Sequence, residues 1–179
     1  MRMAVAIPTT VMMQLSRMMG SVTDVYKRQV LRLSEGVYGS SSISALGIAA
    51  HEAGHAIQHG KGYAFLKVRN AIFPVVRIAS SLAIPLLLAG LLLEVAALYD
   101  VALILYATAI VFQLITLPVE FNASRRATDI LAAEGYLDYG EVQGAQKVLR
   151  AAALTYIASF LLSLLQFLRL LAITGSRRD

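Results

Sequence analysis

Three long apolar segments constrain this chain more than any other feature. Residues 78–98 carry Glu94 as their single charge, residues 101–117 carry none, and residues 151–173 carry Arg169 near their end. At about 1.5 Å of rise per residue, a helix over each segment covers most or all of a hydrocarbon core about 30 Å thick. Burying three such helices in water takes a polar shell that 179 residues do not supply. The composition agrees, with 58% hydrophobic and 15% charged residues and a mean hydropathy of +0.66. An average soluble domain is about 45–50% apolar and about 25% charged. A disordered chain, a nucleic-acid-binding tail and an ordinary water-soluble enzyme are excluded. The expected class is a single-domain, all-α integral membrane protein.

Charge orients the segments. The formal net charge is +5, which in so apolar a chain reads as basic residues flanking spans, not as affinity for nucleic acid. The link Tyr99-Asp100 has no Lys or Arg. Residues 60–77 hold Lys61, Lys67, Arg69 and Arg77, and residues 118–150 hold Arg125, Arg126, Lys147 and Arg150. Positive-inside logic puts both basic regions in the cytoplasm and the short link outside. Arg177 and Arg178 then fall on the far side, outnumbered. Glu94 sits near the outer end, within reach of the interface. The chain has no Cys, so disulfide frameworks, thiolate metal sites and cysteine nucleophiles are excluded. It has no Trp, so interfacial anchoring falls to the eight Tyr.

Residues 1–29 read differently from the rest. Residues 1–19 are Met-rich and broken by Pro8, Thr9, Thr10 and Arg17, too short and interrupted to span a bilayer. Asp24-Val25-Tyr26-Lys27-Arg28-Gln29 resembles the translated end of a transposon-based sequencing adaptor, although an ordinary polar linker is the plainer alternative. The segment is therefore set aside as a doubtful, adaptor-derived join, and the coherent domain is expected over residues 30–179. Residues 30–33 alternate in a way that predicts a short edge strand, and residues 34–42 are a Gly/Ser-rich turn region. Ser44 is a plausible N-cap for a helix from Ala45 to about His59, stopped by Gly60-Lys61-Gly62.

That helix carries His51-Glu52-Ala53-Gly54-His55. Positions i and i+4 share a helix face, so both imidazoles can reach one divalent ion such as zinc. Two neutral imidazoles and a carboxylate leave a fourth position for water, and Glu52, beside the first ligand, can serve as general base. The alternative is a structural pair of histidines. All three His of the chain lie within residues 50–60, however, and such clustering favours a site. His59 is one turn further on, roughly 6 Å along the axis, too far to close a tetrahedron from one straight helix; it reads as a supporting or surface residue. Glu120 is the better third ligand. Pro118 is well tolerated in a first turn, so a polar helix could begin there and carry Glu120 inward. The competing role is a carboxylate stabilising that helix N-terminus. Tyr156, Arg125, Arg126 and Tyr38 are donors by residue type for a developing oxyanion, and Tyr156 is equally an interfacial tyrosine. Zinc is favoured over cobalt or manganese by ligand type and availability.

The stretches Arg32-Leu33-Ser34, residues 45–58 around the His-Glu pair, Leu117-Pro118-Val119-Glu120-Phe121-Asn122-Ala123-Ser124, and Ala151-Ala152-Ala153-Leu154-Thr155-Tyr156 resemble the YugP-type membrane-bound neutral zinc metallopeptidases of bacteria. The motif order is also similar to that of the HtpX-type membrane proteases. The resemblance implies a gluzincin-like metal helix followed by a transmembrane hairpin and a further span. It implies His51, His55 and Glu120 as ligands of one zinc ion, and Glu52 as base. There are two departures: Ser124 stands where the HtpX-type motif usually has Asp, and the transmembrane helix and small polar region that open the YugP-like proteins are not seen. The chain is therefore expected to be a piece of a longer protein. The expected function is a multi-pass endopeptidase of the bacterial inner membrane, cytoplasmic in its active site, acting on membrane or membrane-proximal proteins. The rivals are a catalytically inactive metal-binding scaffold and a metal transporter. Against the transporter, no span carries a His and Glu94 has no evident acidic partner.

Overall fold

A computed structural model describes residues 40, 42–133 and 137–176. The doubtful segment 1–29, the expected edge strand at 30–33 and Tyr38 lie outside the described residues. Four helices make up the described chain: α1, Ile43–Gly60; α2, Ala64–Leu93; α3, Ala96–Ala133; and α4, Tyr139–Gly175. The fold is all-α, as expected. α2, α3 and α4 are each long and apolar enough to cross a membrane.

The ends of α1 follow from local chemistry. Its N-cap is Ser42, not Ser44: Ser42 is extended (φ −68°, ψ 148°) and its hydroxyl accepts the Ala45 N–H at 3.2 Å. Ser44 is already helical, so its side chain cannot serve the orphan donors in the same way. At the other end Gly62 takes a left-handed φ of 64°. The Tyr63 N–H reaches the Gln58 carbonyl at 2.9 Å and the Gly62 N–H reaches that of His59 at 3.1 Å. These are the two bonds of a Schellman stop, which requires a residue at ease with positive φ.

The helix boundaries differ from the sequence expectation in two further places. The expected separator Tyr99-Asp100 is inside α3, and the helices are parted at Glu94-Val95, where Glu94 has φ 56° and the Val95 N–H bonds the Gly90 carbonyl. Tyr99 is a packing residue: it is 3% exposed, clusters with Leu87 and Ala102, and lies against Gly90, where an added Cβ would meet its ring at 2.8 Å. Secondly, Pro118 starts no helix; α3 runs through it without a break. A proline inside a helix forfeits one backbone hydrogen bond and crowds the preceding turn, at a cost of about 3 kcal/mol, and 22 helical residues on its N-terminal side and 15 on its C-terminal side outweigh that here. α2 likewise tolerates Pro74 and Pro85, joining the basic stretch at Lys67–Arg77 to the apolar segment in one helix.

The chain divides into two compact units. The first comprises Met1–Leu66 and Glu120–Ala153. Its core is a cluster of Ala50, Ala127, Leu131, Ala145 and Leu149, flanked by Ile43 and Leu137. The second comprises Lys67–Val119 and Leu154–Asp179. It is held by the Leu87–Tyr99–Ala102 cluster, by a hydrogen bond from Gln113 Nε2 to Ser163 Oγ at 2.9 Å, and by a stacked pair, Tyr106 and Phe167. Its outer surface is apolar: Val75, Ile78, Leu92, Ile104, Leu162 and Leu165 are all more than 60% exposed, which is what a lipid-facing surface presents.

Candidate metal centre

In the first unit, α1 and α3 approach more closely than side chains ordinarily allow. A Cβ built on Gly54 would sit 2.5 Å from the Ala123 carbonyl oxygen and 3.2 Å from its Cα. Only the missing side chain of Gly54 lets the two backbones meet. Ala53, Ala123 and Ala127 are buried beside this crossing. The small residues bring the His51–His55 face of α1 against the Glu120–Ser124 face of α3.

There His51 Nε2 lies 3.2 Å and His55 Nε2 3.5 Å from the same oxygen, Glu120 Oε2. The rings of the two histidines stand edge to face, 4.7 Å apart. Ligand atoms of His51, His55 and Glu120 all lie within 4.8 Å of one another, and Glu120 is 3% exposed. For metal–ligand bonds of about 2.0–2.1 Å, two ligands of a tetrahedral ion are about 3.3–3.5 Å apart. The two nitrogen–oxygen separations, 3.2 and 3.5 Å, are close to that spacing, so the three residues fit a zinc ion.

The remaining ring nitrogens are engaged. His51 Nδ1 lies 3.1 Å from Ser124 Oγ, so the serine that departs from the HtpX-type pattern sits at that histidine. His55 Nδ1 lies 3.0 Å from Gln58 Oε1. Gln58 Nε2 donates to Asn122 Oδ1 at 3.0 Å, and Arg126 Nε donates to the same oxygen at 2.8 Å. Gln58 is wholly buried. Burial by itself lowers the pKa of His55, but hydrogen bonding and charge attraction from Glu120, the hydrogen bond to Gln58 and the charge of Glu52 outweigh it, and the net shift is upward from 6.5. Both of its ring nitrogens face acceptors, an arrangement that favours the doubly protonated ring until a cation takes the place of one proton.

The other expected residues divide. Glu52 is half-buried on α1 between the two histidines in sequence, and its charge reaches His55. His59 is exposed in the last turn of α1 and is not part of the cluster. Arg126 is half-buried, its Nε committed to Asn122, and Arg125 is exposed. Tyr156 is 41% exposed on α4, in the second unit. Sequence reasoning missed Gly54, Gln58 and Asn122 as contributors. Gln58 could have been found: it lies seven residues after His51 and three after His55, on the same helical face, where an uncharged amide in an otherwise apolar position asks for a partner.

Comparison with known proteins bears on these residues. Residues 9–175 match the model of a family described as "Putative neutral zinc metallopeptidase", so the match takes in part of the segment before Val30. A curated relative, "Putative membrane protease YugP" of Bacillus subtilis (strain 168), is 51% identical over 162 residues, covering 89% of this chain and 72% of the relative. No solved structure matches.

Proposed function

Since the chain belongs to the neutral zinc metallopeptidase family, we propose that it is a membrane-embedded endopeptidase in which His51, His55 and Glu120 hold one zinc ion and Glu52 is the general base. The observation that carries this reading is the convergence of two Nε2 atoms on one buried Glu120 oxygen at zinc-ligand spacing. Zinc, when bound, polarises the scissile carbonyl and makes an attacking water more acidic. Glu52, next to His51 in sequence and half-buried, takes the proton of that water as it attacks and delivers it to the departing amine nitrogen. Glu120 contributes the negative charge that offsets the cation, and Ser124 and Gln58 hold the imidazole rings by their far nitrogens. The basic regions at residues 60–77 and 118–150 argue for a cytoplasmic site in a bacterial inner-membrane protein. Membrane proteins and membrane-proximal peptides are then the substrates within reach.

Two substitutions separate this reading from a metal-binding scaffold. Glu52→Gln is expected to keep about one zinc per chain and to lose hydrolysis of a model peptide by a factor of about 10² or more. Glu120→Gln is expected to lose the metal itself, measured by elemental analysis of detergent-purified protein. Cleavage by Glu52→Gln at the wild-type rate refutes the mechanism, and equal zinc in wild type and Glu120→Gln refutes the ligand set.

A further inference from the structure

The hydrogen-bond chain behind His55 has a direction, and the guanidinium of Arg126 stands at its far end. A guanidinium has donors and no acceptor, so Asn122 Oδ1, which receives Arg126 Nε–H at 2.8 Å, must accept. Gln58 presents its amide nitrogen to that same oxygen at 3.0 Å, which turns its own oxygen toward His55 Nδ1, also at 3.0 Å. An amide oxygen only accepts. Where the Glu120 carboxylate does not compete for it, the proton of a neutral His55 ring is therefore on Nδ1, which leaves the lone pair on Nε2, the nitrogen on the Glu120 side. The opposite arrangement, with both amides reversed, would set the Asn122 NH₂ against Arg126, donor against donor. Water cannot relieve that conflict midway, because Gln58 has no exposed surface. His51 is held differently: its Nδ1 meets the hydroxyl of Ser124 at 3.1 Å, a group that donates or accepts equally well and imposes no tautomer.

We propose that Arg126, acting through Asn122 and Gln58, is a positioning residue that fixes His55 in the Nδ1–H tautomer and so keeps its Nε2 available to the metal. The inference rests on His55 being a zinc ligand only for its functional consequence; the tautomer itself is independent of that reading.

The test uses the full chain in detergent micelles, with ¹⁵N-labelled histidine and a Glu120→Ala background. There no carboxylate competes for the imidazole proton and the metal site is disabled. At pH about 8.5, where histidine is neutral, the ¹⁵N shifts of His55 are expected to report Nδ1–H. Arg126→Lys, which also only donates, should keep it. Arg126→Glu, which only accepts, should reverse both amides and move the proton to Nε2. Should Arg126→Glu fail to fold, Gln58→Met cuts the chain with a side chain of similar volume, and the Nδ1–H preference should then disappear. With Glu120 intact, Arg126→Glu is expected to weaken zinc affinity by about 10- to 100-fold, the usual range for partners behind a metal ligand, and Arg126→Lys to restore most of it. An unchanged His55 tautomer in folded Arg126→Glu or Gln58→Met overturns the proposal. A tautomer reversal in a protein that binds no zinc in its wild-type form supports the positioning role and instead overturns the zinc reading.

Discussion

The two units of this chain contain the same kind of close helix crossing and the same kind of buried glutamine, yet they use them oppositely. In the first unit Gly54 meets backbone, the carbonyl of Ala123; in the second, Gly90 meets the ring of Tyr99 and the Cβ of Leu98. In the first, Gln58 spends both ends of its amide on His55 and Asn122. In the second, Gln113 bonds Ser163 through its nitrogen and leaves its buried oxygen without a partner among the described residues. The first unit is built to hold polar atoms at fixed separations. The second is built to pack apolar helices and present apolar side chains outward, and it tolerates looseness in its few polar contacts.

The sharpest way to break that contrast is to add one methyl group to each glycine. Gly54→Ala is expected to force α1 off α3, because no backbone carbonyl can be rotated out of the way. The overpacking penalty of about 1–3 kcal/mol exceeds the roughly 1 kcal/mol of helix propensity that alanine recovers, and zinc stoichiometry measured by elemental analysis should fall toward zero. Gly90→Ala should leave zinc untouched and shift thermal unfolding much less, since the Tyr99 ring can move. Equal losses in both variants would show that the crossings are equivalent.

The paired glutamines give the next largest difference. Gln58→Leu orphans His55 Nδ1 and one acceptor site on Asn122 Oδ1, at about 1–3 kcal/mol for each buried group left unpaired, and should weaken zinc binding in a competition titration by about 10-fold or more. Gln113→Leu removes an oxygen that is already unpaired; thermal unfolding should move by less than about 1 kcal/mol in either direction. A smaller effect, confined to the first unit, comes from pH. The pKa of metal-free His55 is raised above 6.5. Its contribution to metal-free stability is therefore full below 6.5 and is lost as pH rises through the folded-state value. Zinc must displace that proton, so affinity should fall about tenfold per pH unit on the acid side of the folded value. Zinc titrations across that range should show the slope beginning above pH 6.5; a slope beginning below it would remove the role assigned to Glu120 and Gln58 in holding the proton.

What the sequence disclosed, and what it withheld, follows the same division. The grouping of His51, His55 and Glu120 was legible because such residues are chemically rare here and two of them are fixed in register by helical spacing. The all-α membrane class was legible because it depends on summed hydropathy. The helix boundaries were not. Tyr99-Asp100 reads as a polar break, but Tyr99 packs on Gly90, and that contact depends on how two helices cross. Pro118 reads as a helix start, but a proline is also affordable within a long apolar helix, and only the summed stability of α3 decides between them. Gly54 was invisible for a related reason. Inside a helix a glycine looks like a defect, and its use appears only once Ala123 is known to face it.

That contact also limits how the sequence can change. The atoms Gly54 meets are the carbonyl oxygen, carbonyl carbon and Cα of Ala123, and every amino acid carries these at position 123. A larger residue at position 54 therefore has no compensating substitution at 123, not even glycine. In a library of paired substitutions the two positions should show no mutual rescue, whereas trimming Tyr99 should rescue Gly90→Ala in large part, leaving the tight contact with the Leu98 Cβ.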